Sequence, residues 1–235
     1  MRQPLSAAAL ILVLLGSTGC ARAQGAGGPE RSKASAGAAS RALEPVVGLP
    51  CENCELVFKG MPAVAALTSA SRIAPAKEPG QPMRIVGRTL DAAGKPVAGV
   101  IVYAYHTNDR GFYPTDDRPP GQRAIHGRLR GWAISDNEGR YQFDTVRPAG
   151  YPDTDIPSHV HMHVIEVGRC TYWIDDIRFE DDPRLTPEQR RRDGGGRGGS
   201  GIAKPTRDAA GLWHVTRDIV LGKRINGYPS ISGAN

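Results

Sequence analysis

The sequence predicts an all-β protein built as a single β-sandwich, with an irregular N-terminal arm and long loops. Three observations lead there. The 29 Gly and 19 Pro make up about a fifth of the 235 residues, more than an average globular chain carries and suited to a turn-rich β fold. Short apolar or alternating segments recur between turn signals from Met83 onward. No apolar run reaches the roughly 18 residues of a membrane-spanning helix, and collagen, coiled-coil and repeat periodicities are absent.

Residues 83–90 read as the first strand, and Asp91-Ala92-Ala93-Gly94-Lys95-Pro96 as a turn. In the next strand, 97–106, Val100, Val102 and Ala104 fall on one side and Ile101, Tyr103 and Tyr105 on the other. Both faces are non-polar, so this strand is central and covered on both sides. After the loop 107–130 come a short strand near 131–135, a turn at Asp136-Asn137-Glu138-Gly139, and a strand over 140–145 with Tyr141, Phe143 and Thr145 on one face. Residues 159–167, 172–179 and 213–221 read as further strands. A helical turn is expected at 187–192, and a mobile, glycine-rich surface loop at 193–201. The domain spans 83–225, followed by a tail at 226–235. The proline-punctuated stretch 46–82 reads as a wrapping arm with one short helical stretch near 62–70.

The first 23 residues read as a signal peptide, with Met1-Arg2 ahead of an apolar core from Ala7 to Leu15. Two processing readings compete. Ala21-Arg22-Ala23 is an A-x-A site that would release a periplasmic or secreted protein. Ser17-Thr18-Gly19-Cys20 resembles a lipobox that would anchor the chain to a membrane through Cys20. Residues 24–45, rich in Ala, Gly and Ser, form a tether. The net charge of +6 sits largely in weakly structured places such as Arg190, Arg191, Arg192 and Arg197. With no zinc-finger, RNA-recognition or helix-turn-helix pattern, no nucleic-acid partner is expected.

Export places the cysteines in an oxidising setting. Cys51-Glu52-Asn53-Cys54 lacks a surrounding βαβ pattern, and only Cys170 remains to complete a zinc ribbon. A local disulfide, or a bond to Cys170, is the expected use.

The chemistry concentrates in Ser158-His159-Val160-His161-Met162-His163-Val164. On a strand, Val160, Met162 and Val164 face one way and His159, His161 and His163 the other. Neighbours in such a column are about 6–7 Å apart at Cα, close enough for imidazoles to converge on one metal. Spacing alone leaves Zn, Cu, Fe and Ni open. His106, His126 and His214 are isolated, Tyr141 belongs to the core, and Tyr103 and Tyr105 read as packing residues of the central strand, with either able to face the site. Tyr172, Trp173 and Trp213 fill the sandwich or shape a pocket, and Trp132 is placed near a pocket mouth.

The context narrows the choice. Gly139-Arg140-Tyr141-Gln142-Phe143-Asp144-Thr145-Val146-Arg147-Pro148-Ala149-Gly150-Tyr151-Pro152, then Pro157-x-His159-x-His161, resembles the pattern of the intradiol ring-cleavage dioxygenases. The hairpin at Asp91–Val100, the segment Arg130-Gly131-Trp132 to Ser135-Asp136, and Phe179-x-Asp181-Asp182-Pro183 fit the same family. The resemblance covers roughly residues 80–185 and implies a β-sandwich of immunoglobulin-like (Ig-like) or transthyretin-like topology. It also implies a mononuclear non-haem Fe(III) held by Tyr113, Tyr151, His159 and His161, with a small aromatic diol and O2 as substrates. In that family the tyrosine matching Tyr151 leaves the metal as the diol binds and helps take up its protons. His163 then lies beside the ligand pair. The resemblance includes a tendency to form homo-oligomers.

The chain departs from familiar members at two positions. Ile156 stands where they have Arg, and Asp176 where they have Gln. These changes leave the ligands intact and alter the substrate surroundings, where Arg128, Arg130 or Arg178 is the candidate replacement guanidinium. Two other readings stand beside the enzyme: a non-catalytic β-sandwich binding module, and a Zn or Cu site using all three histidines of the column.

Overall fold

Strand alternation decides the architecture: apolar residues on one face of each strand must be covered, and two sheets cover each other. The computed structural model describes residues 45–51, 53–115 and 126–229. The expected signal peptide, Cys20, most of the tether and the last tail residues lie outside them. The elements are β1 (Ala70–Arg72), β2 (Pro82–Leu90), β3 (Val100–His106), β4 (Arg130–Ile134), β5 (Arg140–Val146), β6 (His159–Glu166), β7 (Cys170–Phe179), α1 (Pro187–Asp193), β8 (Ile202–Ala203), β9 (Thr206–Arg207), β10 (Trp213–Thr216) and β11 (Ile219–Val220). One sheet runs β1-β5-β2-β10-β9, with β11 also on β2, and the other runs β4-β3-β6-β7-β8. This is the expected sandwich.

Met83, Ile85, Tyr141 and Phe143 from the first sheet meet Val102, Ala104, Val160, Met162, Val164 and Ile174 from the second in one buried cluster. Each such large side chain contributes on the order of 1.5–3 kcal/mol by leaving water. All of β3 is buried, as its two apolar faces require. Its outer face, Ile101, Tyr103 and Tyr105, packs with Ile165 against Val57, Phe58, Met61, Val64 and Leu67 of the arm. The expected helical stretch near 62–70 is instead a 3-10 turn at Val64–Ala66 and strand β1, and a second 3-10 turn spans Cys54–Phe58. The arm has too few periodic apolar positions for an α-helix and uses short turns to drop side chains onto a sheet.

Three further expectations change. Residues 213–221 do not form one strand, because the ladder is interrupted at Arg217 and Asp218. There the Arg217 carbonyl accepts from the Tyr141 hydroxyl at 2.5 Å, and Asp218 Oδ1 accepts from Arg88 N. The tract 193–201 is not a mobile surface loop. It lies against β7, where Arg197 N donates to Asp175 Oδ2 and Asp175 N to Arg197 O. A Cβ on Gly198 would meet Ile174 Cγ2 at 2.7 Å, so glycine here serves close approach rather than flexibility. The folded body also extends past 225, since the Tyr228 hydroxyl donates to Glu166 Oε1 at 2.8 Å.

A β-bulge in β7 positions the site. His159 pairs with Arg178 and Val160 with Ile177, but Met162 pairs with Ile174. Asp175 and Asp176 therefore both oppose His161. The core-facing residues switch parity across this point, from Tyr172 and Ile174 to Ile177 and Phe179. A bulge re-aims side chains, and this one turns Asp176 toward His161.

His106, at the end of β3, is fully buried and ties the two sheets together. Its Nδ1–H donates to Thr107 O, and its Nε2 accepts from the Thr145 hydroxyl of β5, both at 2.6 Å. Burial pushes its pKa down to about 4. Between that value and the ordinary one near 6.5 the unfolded chain binds the proton and the folded chain does not. Stability is therefore unaffected above this window and falls as pH drops through it. In urea denaturation of the iron-free protein, the stability lost between pH 7 and pH 4.5 should be about 2 kcal/mol smaller in His106→Gln than in the native chain.

Candidate metal centre

β3 ends at His106 and the chain turns at once. The Asn108 side chain accepts from Arg110 N and Phe112 N, both at 3.0 Å, as Asn does in turns. Gly111 sits at φ +82, where a Cβ would stand 2.2 Å from Gly150 O, so only glycine fits. Asn108 O accepts from Ala149 N at 3.0 Å. The loops that carry Tyr113 and Tyr151 are thus stitched together five residues before the first tyrosine and two before the second. Behind Tyr151, the Ser158 hydroxyl donates to Pro148 O, and Asp182 Oδ2 accepts from Ser158 N, both at 2.7 Å. β6 begins there and supplies His159 and His161.

These four side chains meet at one point. The Tyr113 and Tyr151 hydroxyls are 2.6 Å apart, and His161 Nε2 is 2.8 Å from the first and 3.4 Å from the second. His159 Nε2 is 3.1 Å from His161 Nε2. Donors on one ion with bonds of about 2.0–2.2 Å are about 3 Å apart when adjacent, so the spacing suits a single metal.

The protonation pattern strengthens that fit. His159 Nδ1–H donates to the Pro157 carbonyl at 2.7 Å. His161 Nδ1–H donates to Asp176 Oδ1 at 3.0 Å. Both partners are acceptors only, so both Nε2 atoms present lone pairs, aimed at each other across 3.1 Å. Without an ion the protonated Tyr113 hydroxyl can donate to His161 Nε2 at 2.8 Å, whereas one cation would take both lone pairs at once. Protonation is a poor substitute, because burial and the neighbouring His161 lower the pKa of His159. For Tyr113, burial and the adjacent Tyr151 push the phenol far above its ordinary pKa. A phenolate at this place needs the charge of a metal ion. Two phenolic oxygens and two neutral imidazoles form a hard donor set that suits a ferric ion.

Asp176 holds the arrangement from behind. Burial alone would raise its pKa, but His161, His159 and Arg178 together hold it well below the usual carboxylate range. It stays anionic and acts as the fixed acceptor for His161. Tyr105 stacks on His161 with ring centroids 4.5 Å apart and on His126 at 3.7 Å, and the Tyr103 hydroxyl contacts His126 Nδ1 at 2.8 Å. Sequence reasoning favoured packing for Tyr105, with the site as the alternative, and left His126 isolated. The missing signal was the register, which sets Tyr105 opposite His161 and Tyr103 opposite His163.

The other predicted residues divide clearly. His163 does not join His159 and His161: its Nε2 faces Cys51 Sγ at 3.8 Å, so the geometry does not gather a three-histidine site. Trp132 is not at a pocket mouth; its indole N–H donates to Val57 O at 2.8 Å and holds the arm. Arg128 is paired with Glu78 at 2.7 Å and Arg178 with Asp193 at 2.9 Å, so the charge of each is already matched. Ile156 is 42% exposed. Cys51 and Cys54 form the local disulfide, and Cys170 is buried and not part of it.

The β-sandwich thus gathers two tyrosines and two histidines beside one sheet. The model of a dioxygenase family matches residues 61–190, more than half of the chain, and the chain belongs to the intradiol ring-cleaving dioxygenase family. It is 30% identical over 124 residues to hydroxyquinol 1,2-dioxygenase of Rhizobium sp. (strain MTP-10005), covering 45% of this chain and 40% of that protein. It is 29% identical over 129 residues to the protocatechuate 3,4-dioxygenase beta chain of Burkholderia cepacia, covering 48% of this chain and 54% of the relative. The matched region thus spans about half or less of these relatives. Among solved structures, the dioxygenase domain of a dioxygenase–carbohydrate-binding protein fusion from Streptomyces sp. SirexAA-E shares the fold at TM-score 0.52 and 20% identity, covering 76% of this chain and 98% of that one. Catechol 1,2-dioxygenase from Acinetobacter sp. ADP1 does so at TM-score 0.53 and 21% identity, covering 71% and 62%.

Asp176→Asn keeps an acceptor for His161 Nδ1–H but removes the charge. In iron-loaded protein the tyrosinate-to-iron absorption should move to longer wavelength, because a less basic imidazole leaves the metal more electron-poor. Asp176→Ala should weaken metal binding by roughly 10- to 100-fold, read by competition with a chelator.

Proposed function

We propose that this chain is a non-haem Fe(III) enzyme that uses O2 to cleave a catechol-type ring between its two hydroxylated carbons, giving a cis,cis-muconate-type diacid. The observation that carries the reading is the convergence of Tyr113, Tyr151, His159 and His161 with both imidazole Nε2 lone pairs turned inward. A ferric ion held there supplies Lewis acidity to both diol oxygens and the electronic access that lets the bound ring react with O2.

The residues divide the remaining work. His159 and His161 are fixed donors, because a carbonyl and a carboxylate pin their Nδ1–H groups. Tyr113 sits on a loop locked by Asn108 and Gly111. By the family resemblance Tyr151, on the connection between β5 and β6, would be the ligand that leaves and accepts a diol proton on its phenolate oxygen. Phe112, beside Tyr113, and Ile156, in the Tyr151 loop, are 53% and 42% exposed. Apolar side chains at both tyrosine loops suit a flat aromatic ring. With Ile156 in place of a guanidinium, substrate orientation rests on chelation and ring contacts more than on charge.

We also propose that the protein is exported, which the Cys51–Cys54 disulfide supports. Mass spectrometry of chain recovered by osmotic shock should show loss of the leader; a full-length cytosolic product would overturn this.

Tyrosine variants test the enzyme reading. Ferric protein should show a tyrosinate-to-iron band that shifts when catechol is added without O2. Tyr113→Phe should abolish or shift that band. Tyr151→Phe should keep a band and lose about 10²–10⁴-fold in kcat/KM. Both atoms of labelled O2 should appear in the ring-opened product. A band unchanged in both variants would remove the tyrosines from the metal and sink the assignment.

A further inference from the structure

The C-x-x-C motif has no part in the proposed reaction, yet the fold holds it against the histidine column. Val57, three residues past Cys54, is buried among Ile101, Tyr103, Tyr105 and Ile165. Trp132 Nε1–H donates to Val57 O at 2.8 Å, and Trp173 Nε1–H donates to Pro50 O at 2.9 Å. These contacts bracket Cys51 and Cys54 on both sides, so the position of this segment does not rest on the disulfide.

Across from the pair stands His163, 4% exposed. Its Nε2 is 3.8 Å from Cys51 Sγ. Both sulfurs and a His163 nitrogen lie within 4.8 Å of one another. A tetrahedral ion with metal–sulfur bonds of about 2.3 Å and a metal–nitrogen bond of about 2.0–2.1 Å needs sulfur and nitrogen about 3.5 Å apart. The observed separation is already close to that, and only the sulfur–sulfur bond stands in the way. The far side of the imidazole carries a second sign. His163 Nδ1 is buried without a hydrogen-bond partner, and so is Nε2 of His126, whose ring centroid is 6.0 Å away. A histidine that binds metal through Nε2 carries its proton on Nδ1 and uses a partner there. A water bridging the two unpartnered nitrogens would supply that partner.

We propose that Cys51, Cys54 and His163 form a second metal site, gated by redox state, that takes a thiophilic d10 cation such as Zn2+ or Cu+ once the disulfide is reduced. A dithiol reductant delivers two electrons and two protons, the sulfur–sulfur bond breaks, and the reductant becomes its own disulfide. Each thiol then releases its proton to solvent as the cation binds. Two thiolates and one imidazole leave a fourth position for water or another ligand. Thiolates favour zinc and cuprous copper over ferric iron, so the two centres select different metals. The site does not depend on the catalytic reading of the tyrosines.

The test uses the full mature chain with its iron site filled, reduced anaerobically by a dithiol and desalted. Co2+ is added as the probe. The expected result is one thiolate-to-cobalt absorption per chain, absent from the oxidised protein and from Cys51→Ser/Cys54→Ser. Zn2+ and Cu+, titrated in parallel, should each displace the cobalt, and their order identifies the natural occupant. His163→Gln should weaken cobalt binding at least about tenfold and alter its tetrahedral ligand-field bands. Absence of a thiolate band in reduced protein that shows both thiols by chemical titration would overturn the proposal. So would affinity and ligand-field bands unchanged in His163→Gln. If that variant does not fold, Cys54→Ser decides alone: loss of the high-affinity band supports the site, and full retention overturns it.

Discussion

Two imidazole lone pairs facing each other at 3.1 Å are the constraint from which the rest of the site follows. They face because each imidazole gives its Nδ1–H to a group that can only accept, the Pro157 carbonyl for His159 and the Asp176 carboxylate for His161. Neither acceptor can reverse, so neither ring can turn a proton inward at little cost. One cation answers both lone pairs at once, and burial makes a proton on the His159 ring unfavourable. The tyrosines add the complementary requirement. The Tyr113 phenol resists ionisation in this setting and becomes anionic only beside a strong positive charge. Histidines and tyrosines therefore ask for the same occupant for opposite reasons.

Positioning of these groups depends on the sandwich in two places. β3 is buried on both faces, which fixes the sheet on which the histidine column stands. The bulge in β7 brings a carboxylate to that column, and the glycine tract lying along β7 satisfies the backbone that the bulge disturbs. The arm closes the same face from outside. It covers Tyr103 and Tyr105 and brings the disulfide to His163. One sheet face thus carries, in succession along β6, a hard oxygen–nitrogen donor set and a soft sulfur–nitrogen one. Their separation follows from strand geometry: His159 and His163, four residues apart on one strand, stand about 13 Å apart at Cα, too far to share one ion.

Much of this was legible in the amino-acid order. Period-two alternation in 100–106 and 159–164 reads directly as faces, because side chains on a strand have no other way to point. The histidine column, the two tyrosine loops and the local disulfide follow from spacing and from the family resemblance. Even the bulge left a trace in Tyr172-Trp173-Ile174-Asp175-Asp176-Ile177-Arg178-Phe179, where apolar residues shift from even to odd positions. Other inferences failed for identifiable reasons. A glycine tract reads as flexible when it is free and as a close contact when a strand lies beneath it, and composition is the same in both cases. Trp132 and the arginines carry no mark of their partners.

By itself the sequence determined which residues share a face, because the alternation of side chains is a local property of each strand. Only the tertiary structure decided which faces meet. It set Tyr105 over His161, Asp176 behind it, Arg178 on Asp193 and His163 against Cys51. Those pairings join residues far apart in the chain, and they depend on strand register, on one bulge and on where an irregular arm settles. Periodicity marks the bulge by its parity shift but encodes neither the register nor the resting place of the arm, since each is a balance of packing and hydrogen bonding that exists only once both partners are in place.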